Sequence, residues 1–390
     1  MSEHSSRDEL SAFLRDDLPA AGTRRPTTNA EKIAALLPSN TLNVSRRMPG
    51  KAGEDEVFEG LLAKSWSLRY ENPGMMAQYA TLAVHLSKSF EARRYGREGI
   101  FDLQGRALAE LGNAYRVLDQ HDLAADALTR ARYLLEELGS CDENLLIRLC
   151  ELEATLAADQ RRFGYAICLL LKVASFHQQT GDLHLAGRAL IKRLLYVGYA
   201  GNPEEALRLI PEALALVDEK RDPGLIYAAM HNQLLFIVDC GRFSEGRAFR
   251  IRHSWILNRE EGCMNRTRLR WIEGRIEAGL GRPDRAEAAF RKTKQEFEEF
   301  DRPYLASIVA LDLAAALLAQ QRSQEAQEVV LAAAQVFSAL RIEREVLAAV
   351  IVLRTTLEMG KATAALAEDV AAFVRRAMHD PTAKFDIRPL

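Results

Sequence analysis

Cysteine pairs are missing from this 390-residue chain. Its five cysteines, Cys141, Cys150, Cys168, Cys240 and Cys263, are odd in number and never form a C-x-x-C pair. Such spacing supports neither a disulfide framework nor a zinc knuckle; they read as small buried residues in a reducing compartment. Aromatic residues are few, at 7%, and few windows alternate apolar and polar residues with period two. With Ala and Leu dominant, that pattern favours helix over sheet. An excess of one charge is also missing: the formal net charge is −2. No global field draws the chain to nucleic acid or anionic lipid, so no direct nucleic-acid partner and no membrane partner is expected. The most apolar stretch, Ala306 to Ala319, is interrupted by Asp312 and falls short of the ~18–20 residues a bilayer needs. The N-terminal MSEHSSRDEL has no apolar core of the kind a signal peptide carries, and the cytoplasm is the expected location.

Motifs for chemistry are absent as well. No G-x-x-x-x-G-K-[ST] loop and no G-x-S-x-G elbow occurs, which removes the usual phosphate cradle and the nucleophile elbow. The eight histidines are scattered. His177 and His184 stand two helical turns apart, but Gly181-Asp182 between them marks a chain reversal, and no carboxylate sits at ligand spacing. Paired carboxylates at Glu136-Glu137 and Glu298-Glu299 lie on polar helix faces, where solvation accounts for them. The expectation is no metal, no cofactor and no enzymatic activity.

What the sequence does contain is repetition. A turn pair, an apolar or Pro position and a small residue recur as DQHDLA (119–124), RRFGYA (161–166), GNPEEA (201–206), GRFSEG (241–246), GRPDRA (281–286) and QRSQEA (321–326). The small residues Ala124, Ala166, Ala206, Gly246, Ala286 and Ala326 are 42 and then 40 apart. Each signature lies between two helical patterns: Leu269, Ile272, Ile276 and Leu280 share a face before GRPDRA, and Ala286, Ala289, Phe290 and Phe297 share one after it. Two antiparallel helices approach closely only where a side chain is short. The unit is therefore an αα-hairpin stacked on its copies, and a repeat array explains a length that would otherwise suggest two domains.

These residues resemble the tetratricopeptide repeat (TPR) family. Leu108, Leu111, Gly112, Tyr115, Ala124 and Ala131 stand where that motif prefers a large residue, Leu, Gly, Tyr, Ala and Ala. Gly274, Ala286 and Phe290 match in a later repeat, and Ala206 with Ala213 in another. Elsewhere the motif is degenerate, with Ala154, Leu194 and Leu234 in the place of Gly, and the period exceeds the family's 34 residues, implying longer helices or loops. The resemblance covers roughly residues 54–378. It implies an all-α fold, a right-handed α-α superhelix of helical hairpins; HEAT-like repeats, of similar period, remain the alternative. A weaker pair is expected at 54–90, around ENPG, and a closing pair at 344–378.

The resemblance also implies a groove lined by the first helix of each repeat. The residues so placed are Arg106, Glu110, Asn113 and Arg116; then Arg148, Glu151, Thr155 and Asp159; then Arg188, Lys192 and Tyr199. His231, Asn232 and Asp239 follow, then Arg268, Trp271 and Arg275, and finally Asp312. Arginine forks hold carboxylates bidentately, so one reading is a groove for a protein or peptide partner, an acidic one in particular. Its contact residues would be Arg148, Arg188, Lys192, His231, Asn232, Trp271 and Arg275, with Arg188 and Lys192 facing solvent. The other reading pairs the cations with Glu151, Asp159 and Asp239. Of the five-residue carboxylate clamp known in some TPR modules, Asn113, Arg188 and Lys192 fit, while Ala109 and Leu152 depart from it.

Residues 1–52 hold four of the twelve prolines, at 19, 26, 38 and 49, and read as a largely disordered arm. Residues 53–379 form the repeat domain and 380–390 a short tail. The function expected is a scaffold or regulatory module recognising a partner in the groove; the alternative is a sensor of a small ligand or signalling peptide in a bacterial signalling or transcription-control system.

Overall fold

The computed structural model describes residues 53–69, 71–259, 262–340, 344–380 and 383–385. The N-terminal arm expected at 1–52 and most of the tail at 380–390 lie outside them. Among the described residues every regular element is helical.

The helices are α1 (Glu54–Ser67), α2 (Pro73–Ser87), α3 (Ala92–Val117), α4 (His121–Tyr133), α5 (Glu143–Asp159), α6 (Phe163–Gln179), α7 (Leu183–Tyr199), α8 (Pro203–Ala215) and α9 (Pro223–Asp239). They continue as α10 (Phe243–Arg252), α11 (Ser254–Leu257), α12 (Cys263–Gly279), α13 (Pro283–Glu299), α14 (Pro303–Ala319), α15 (Ser323–Ala339), α16 (Arg344–Glu358) and α17 (Ala364–Ala377). α3 bends at Gly96, and α4 runs on through a π turn at Leu134–Leu138.

The period of forty resolves into two equal halves. From α5 onward most helices are 17 residues long, joined by three-residue turns, so a new helix begins every twenty residues. The turn chemistry enforces this. A left-handed residue stands at Arg161, Gly181, Gly201, Gly241, Gly281, Asp301 and Gln321, with φ between 54° and 91°. At Gly241, for example, its N–H donates to the Val238 carbonyl (3.0 Å) and the Arg242 N–H to the Ile237 carbonyl (3.1 Å). This is the Schellman arrangement that satisfies the last carbonyls of a helix. Proline then opens α8, α9, α13 and α14 at a position where its missing N–H costs nothing. The extra residues beyond a 34-residue repeat thus lengthen the helices and leave the turns short.

The residues singled out for close helix approach are buried. Ala124, Ala166, Ala206, Ala286 and Ala326 are fully inaccessible, Gly246 is buried and Tyr115 half-buried. A Cβ on Gly112 would stand 2.9 Å from Leu128 Cδ2, and one on Gly274 2.6 Å from the Phe290 ring. Gly246 is the mildest case, with Val238 Cγ2 at 3.2 Å. The cysteines depart from expectation: all are free, but only Cys150 is buried, Cys240 being half-buried and Cys141, Cys168 and Cys263 exposed.

The chain divides into two compact units, 1–173 and 174–390, within α6. In the first, α1 to α5 enclose a core around Phe58, Leu61, Leu82, Leu111, Leu128 and Leu149. The hairpin around ENPG is present: Asn72 caps α2 by accepting from the Met75 N–H (3.1 Å), and Ser65 Oγ donates to the Met76 carbonyl (2.9 Å). In the second, one cluster joins Tyr227, Leu234, Phe249, Leu269 and Ile276, and a larger one runs from Ala286 to Ala377. α14 is buried on every side, being packed on α13, α15 and α17. The closing pair is therefore no simple continuation of the array, because α17 lies on α14, three helices earlier.

Two substitutions separate packing from turn strain. Gly274→Ala gains helix propensity yet should destabilise by about 1–3 kcal/mol, because the methyl meets Phe290. Gln321→Gly removes a left-handed non-glycine residue and should stabilise by about 0.5–1 kcal/mol, with Gly281→Gln losing a similar amount. Urea unfolding followed by circular dichroism reads all three.

Candidate functional site

In both units the first helices of successive hairpins are tied by polar rungs about forty residues apart. In the first unit Arg106 pairs with Glu59 (2.5 Å), Arg148 with Glu110 (2.9 Å) and Arg116 with Asp159 (2.8 Å). Arg148 also holds Glu151 (3.2 Å) and lies over the Trp66 ring at 5.2 Å. In the second unit Arg275 pairs with Asp239 (2.7 Å), and the Trp271 indole donates to Asp312 Oδ2 (2.7 Å). Within each unit, the charge of the residues that the resemblance places along a groove is largely spent on the neighbouring repeat. Arg148 and Arg275 are neutralised by carboxylates, one of the two readings open from the sequence.

Arg188 and Lys192, expected to face solvent, are half-buried and each is engaged by other groups. Trp271 is half-buried as well, edge-on to Phe297 with ring centroids 6.0 Å apart. It serves the packing between repeats while its N–H is pinned to Asp312.

Three further residues of the inner face of the second unit influence one another. Tyr199 from α7, His231 from α9 and Arg268 from α12 lie close enough for Arg268 to act on the other two. Arg268 is exposed and forms no ion pair with the described residues. His231 stacks obliquely on Tyr227 (5.9 Å) and has a side-chain hydrogen bond with Asn232, while its buried Nε2 has no hydrogen-bond partner. Burial and the Arg268 charge hold His231 down to about 4, against its hydrogen bond with Asn232, which favours the protonated ring. Burial also pushes the Tyr199 hydroxyl above its ordinary value. One exposed guanidinium without an ion pair and one buried imidazole nitrogen without a hydrogen-bond partner thus lie near a tyrosine ring. Of the residues expected from the sequence, His231 and Asn232 lie near Arg268, and Arg188 and Lys192 are already engaged.

A separate cleft of about 240 Å³ lies between α8, α9 and α10, lined by Glu204, Leu207, Arg208, Gln233, Ile237, Arg242 and Glu245. Its charges answer one another, Arg242 holding Glu245 (2.6 Å) and Glu204 (3.3 Å), and it is smaller than the roughly 300–1,000 Å³ of most small-molecule sites. Among the described residues no three His, Cys, Asp or Glu side chains converge as metal ligands, and no helix is long and apolar enough to cross a membrane.

The low His231 value sets a pH dependence. The folded pKa lies below the unfolded one of about 6.5, so between about pH 4 and 6.5 the unfolded chain binds more protons. His231 therefore contributes fully above pH 6.5, and its contribution falls as the pH drops toward 4. Between pH 7 and 5 the wild type should lose about 2 kcal/mol more than His231→Gln in urea unfolding.

No protein-family model matches the sequence, and no curated protein does. Solved structures do resemble it. A Rap protein complexed with competence and sporulation factor superposes with a TM-score of 0.59 at 12% identity, over 84% of this chain and 88% of that one. Aspartyl phosphate phosphatase F from Bacillus subtilis gives 0.55 at 14% identity, over 86% and 88%. At such identities the likeness is one of fold: this chain has the all-α architecture of TPR-like helical-repeat proteins.

Proposed function

We propose that the chain is a non-catalytic regulatory module that binds a peptide, or a peptide segment of a protein, on the inner face of its second unit. Arg268, exposed and without an ion pair among the described residues, carries this reading, with the buried, unpartnered Nε2 of His231 near it. A guanidinium that no carboxylate neutralises suits a carboxylate from a side chain or a chain end. The Tyr199 ring, on which His379 lies stacked, is a flat wall that a ring of the partner can take in place of His379. The Rap protein of like fold that is bound to competence and sporulation factor supports a peptide partner. The phosphatase of like fold shows that the architecture also accompanies catalysis, but the inner-face carboxylates here, Asp239 and Asp312, are each held by an arginine. An acidic partner is thereby narrowed to one contact: Arg268 takes the carboxylate, and Arg148 and Arg275 do not.

Panning a library of random peptides with free C-termini on the intact protein tests this reading. The selected peptides should carry a carboxylate, and Arg268→Glu should weaken them by about tenfold or more, the worth of a charged hydrogen bond. Peptides that bind Arg268→Glu and wild type equally in fluorescence anisotropy would overturn it.

A further inference from the structure

The inner face of the second unit is not bare. α17 covers it, although α17 is the last of the described helices. Its apolar side, Val370, Ala371, Phe373, Val374 and Ala377, is buried in the cluster that includes α14. Its polar end reaches back across earlier repeats. Arg375 donates to Asp312 of α14 and senses both Arg275 of α12 and Asp239 of α9. One helical turn on, His379 lies flat against Tyr199 of α7, with ring centroids 3.8 Å apart and planes 7° apart. Residues from four successive first helices thus meet one short segment that arrives from the end of the chain.

The contacts are those of a ligand more than of another repeat. A repeat helix in this fold packs on its sequence neighbours, whereas α17 makes more of its packing with α14 than with α16. The arginine it inserts is only partly compensated. Asp312 shares its two oxygens between the Trp271 indole and Arg375, and Arg275 adds a like charge nearby. Burial and Arg275 lower the Arg375 value while Asp312 and Asp239 oppose them, so the pair is held against a desolvation cost. Glu368 on the same helix is raised by burial and by Asp369 and Asp312, against Arg375, a second sign of crowded charge at this contact. Arg268, without an ion pair among the described residues, acts on the same Tyr199.

We propose that α17 with His379 is a displaceable occupant of the inner face, and that the partner replacing it is an amphipathic helix with an arginine for Asp312 and, four residues on, a flat ring for Tyr199. This rests on the inner face being the recognition surface and specifies what it selects: a basic residue and a ring from the helix, and a carboxylate beside them at Arg268. Binding then exchanges one helix for another, so that the partner's affinity is reduced by the stability of the closed state.

The test uses the intact chain, as wild type and as Arg375→Ala/His379→Ala, which keeps the apolar side of α17 and removes both polar contacts. The probes are backbone hydrogen exchange and a fluorescein-labelled synthetic peptide of residues 364–385. Exchange in α17 should accelerate about tenfold or more in the double variant, with α13 and α15 unchanged. The labelled peptide should bind the double variant about tenfold or more tightly than wild type, and an analogue with Glu in place of Arg375 should lose that gain. Equal exchange in α17 of both proteins would make α17 a permanent core helix and overturn the proposal. So would equal binding of the labelled peptide to both. Loss of carboxylate-peptide selection at Arg268 bears on the recognition surface alone, because opening of α17 is read by exchange without any partner.

Discussion

The structure depends on how closely consecutive helices approach at a few small side chains. Where a hairpin crosses, a glycine or alanine faces a large residue of the opposite helix, as Gly112 faces Leu128 and Gly274 faces Phe290. A methyl group at the glycines would enter the van der Waals shell of its neighbour, and interiors packed to crystal density do not absorb that without displacement. Because one approach distance recurs along the array, first helices of neighbouring hairpins come near enough for side chains to meet. The ladder of Arg–Glu and Arg–Asp pairs follows from that spacing.

The turns hold the spacing constant. A left-handed residue followed by a carbonyl-satisfying N–H ends most of the repeat helices in three residues, and this works with Gly281 as well as with Gln321, at a cost in strain for the latter. The consequence for function is a register: polar side chains on the first helices fall at nearly the same height in every repeat. Most then neutralise one another, so the inner face is a stitched surface on which an unneutralised group stands out. Arg268 beside His231 is such a group, and its environment gives His231 a low proton affinity.

A repeat scaffold with a self-occupied face separates two properties that a simple solenoid joins. Stability comes from hairpin packing, whereas access to the inner face is governed by α17, whose half-buried arginine is contested between Asp312 and Arg275. The cluster that α17 completes also buries α14 on the side that would otherwise meet water, which accounts for the unusually apolar sequence of α14, with Asp312 as its single charge.

Periodicity alone determined the helical hairpins, the repeat of forty and the small residues at each crossing, because these are local consequences of turn chemistry and of side-chain size at fixed intervals. The sequence also placed His231, Trp271, Arg275 and Asp312 on one face. It did not decide which of them are open. That depends on partners about forty residues away, such as Asp239 for Arg275 and Asp312 for Trp271, and the sequence left the paired and unpaired arrangements equally available. The cysteines show the same limit, since exposure on a helix face is set by what packs there. Above all, the return of α17 and His379 onto α14 and Tyr199 was decided by tertiary structure alone. A terminal amphipathic helix has an apolar side to bury, and nothing in its own residues says which surface of the array will receive it.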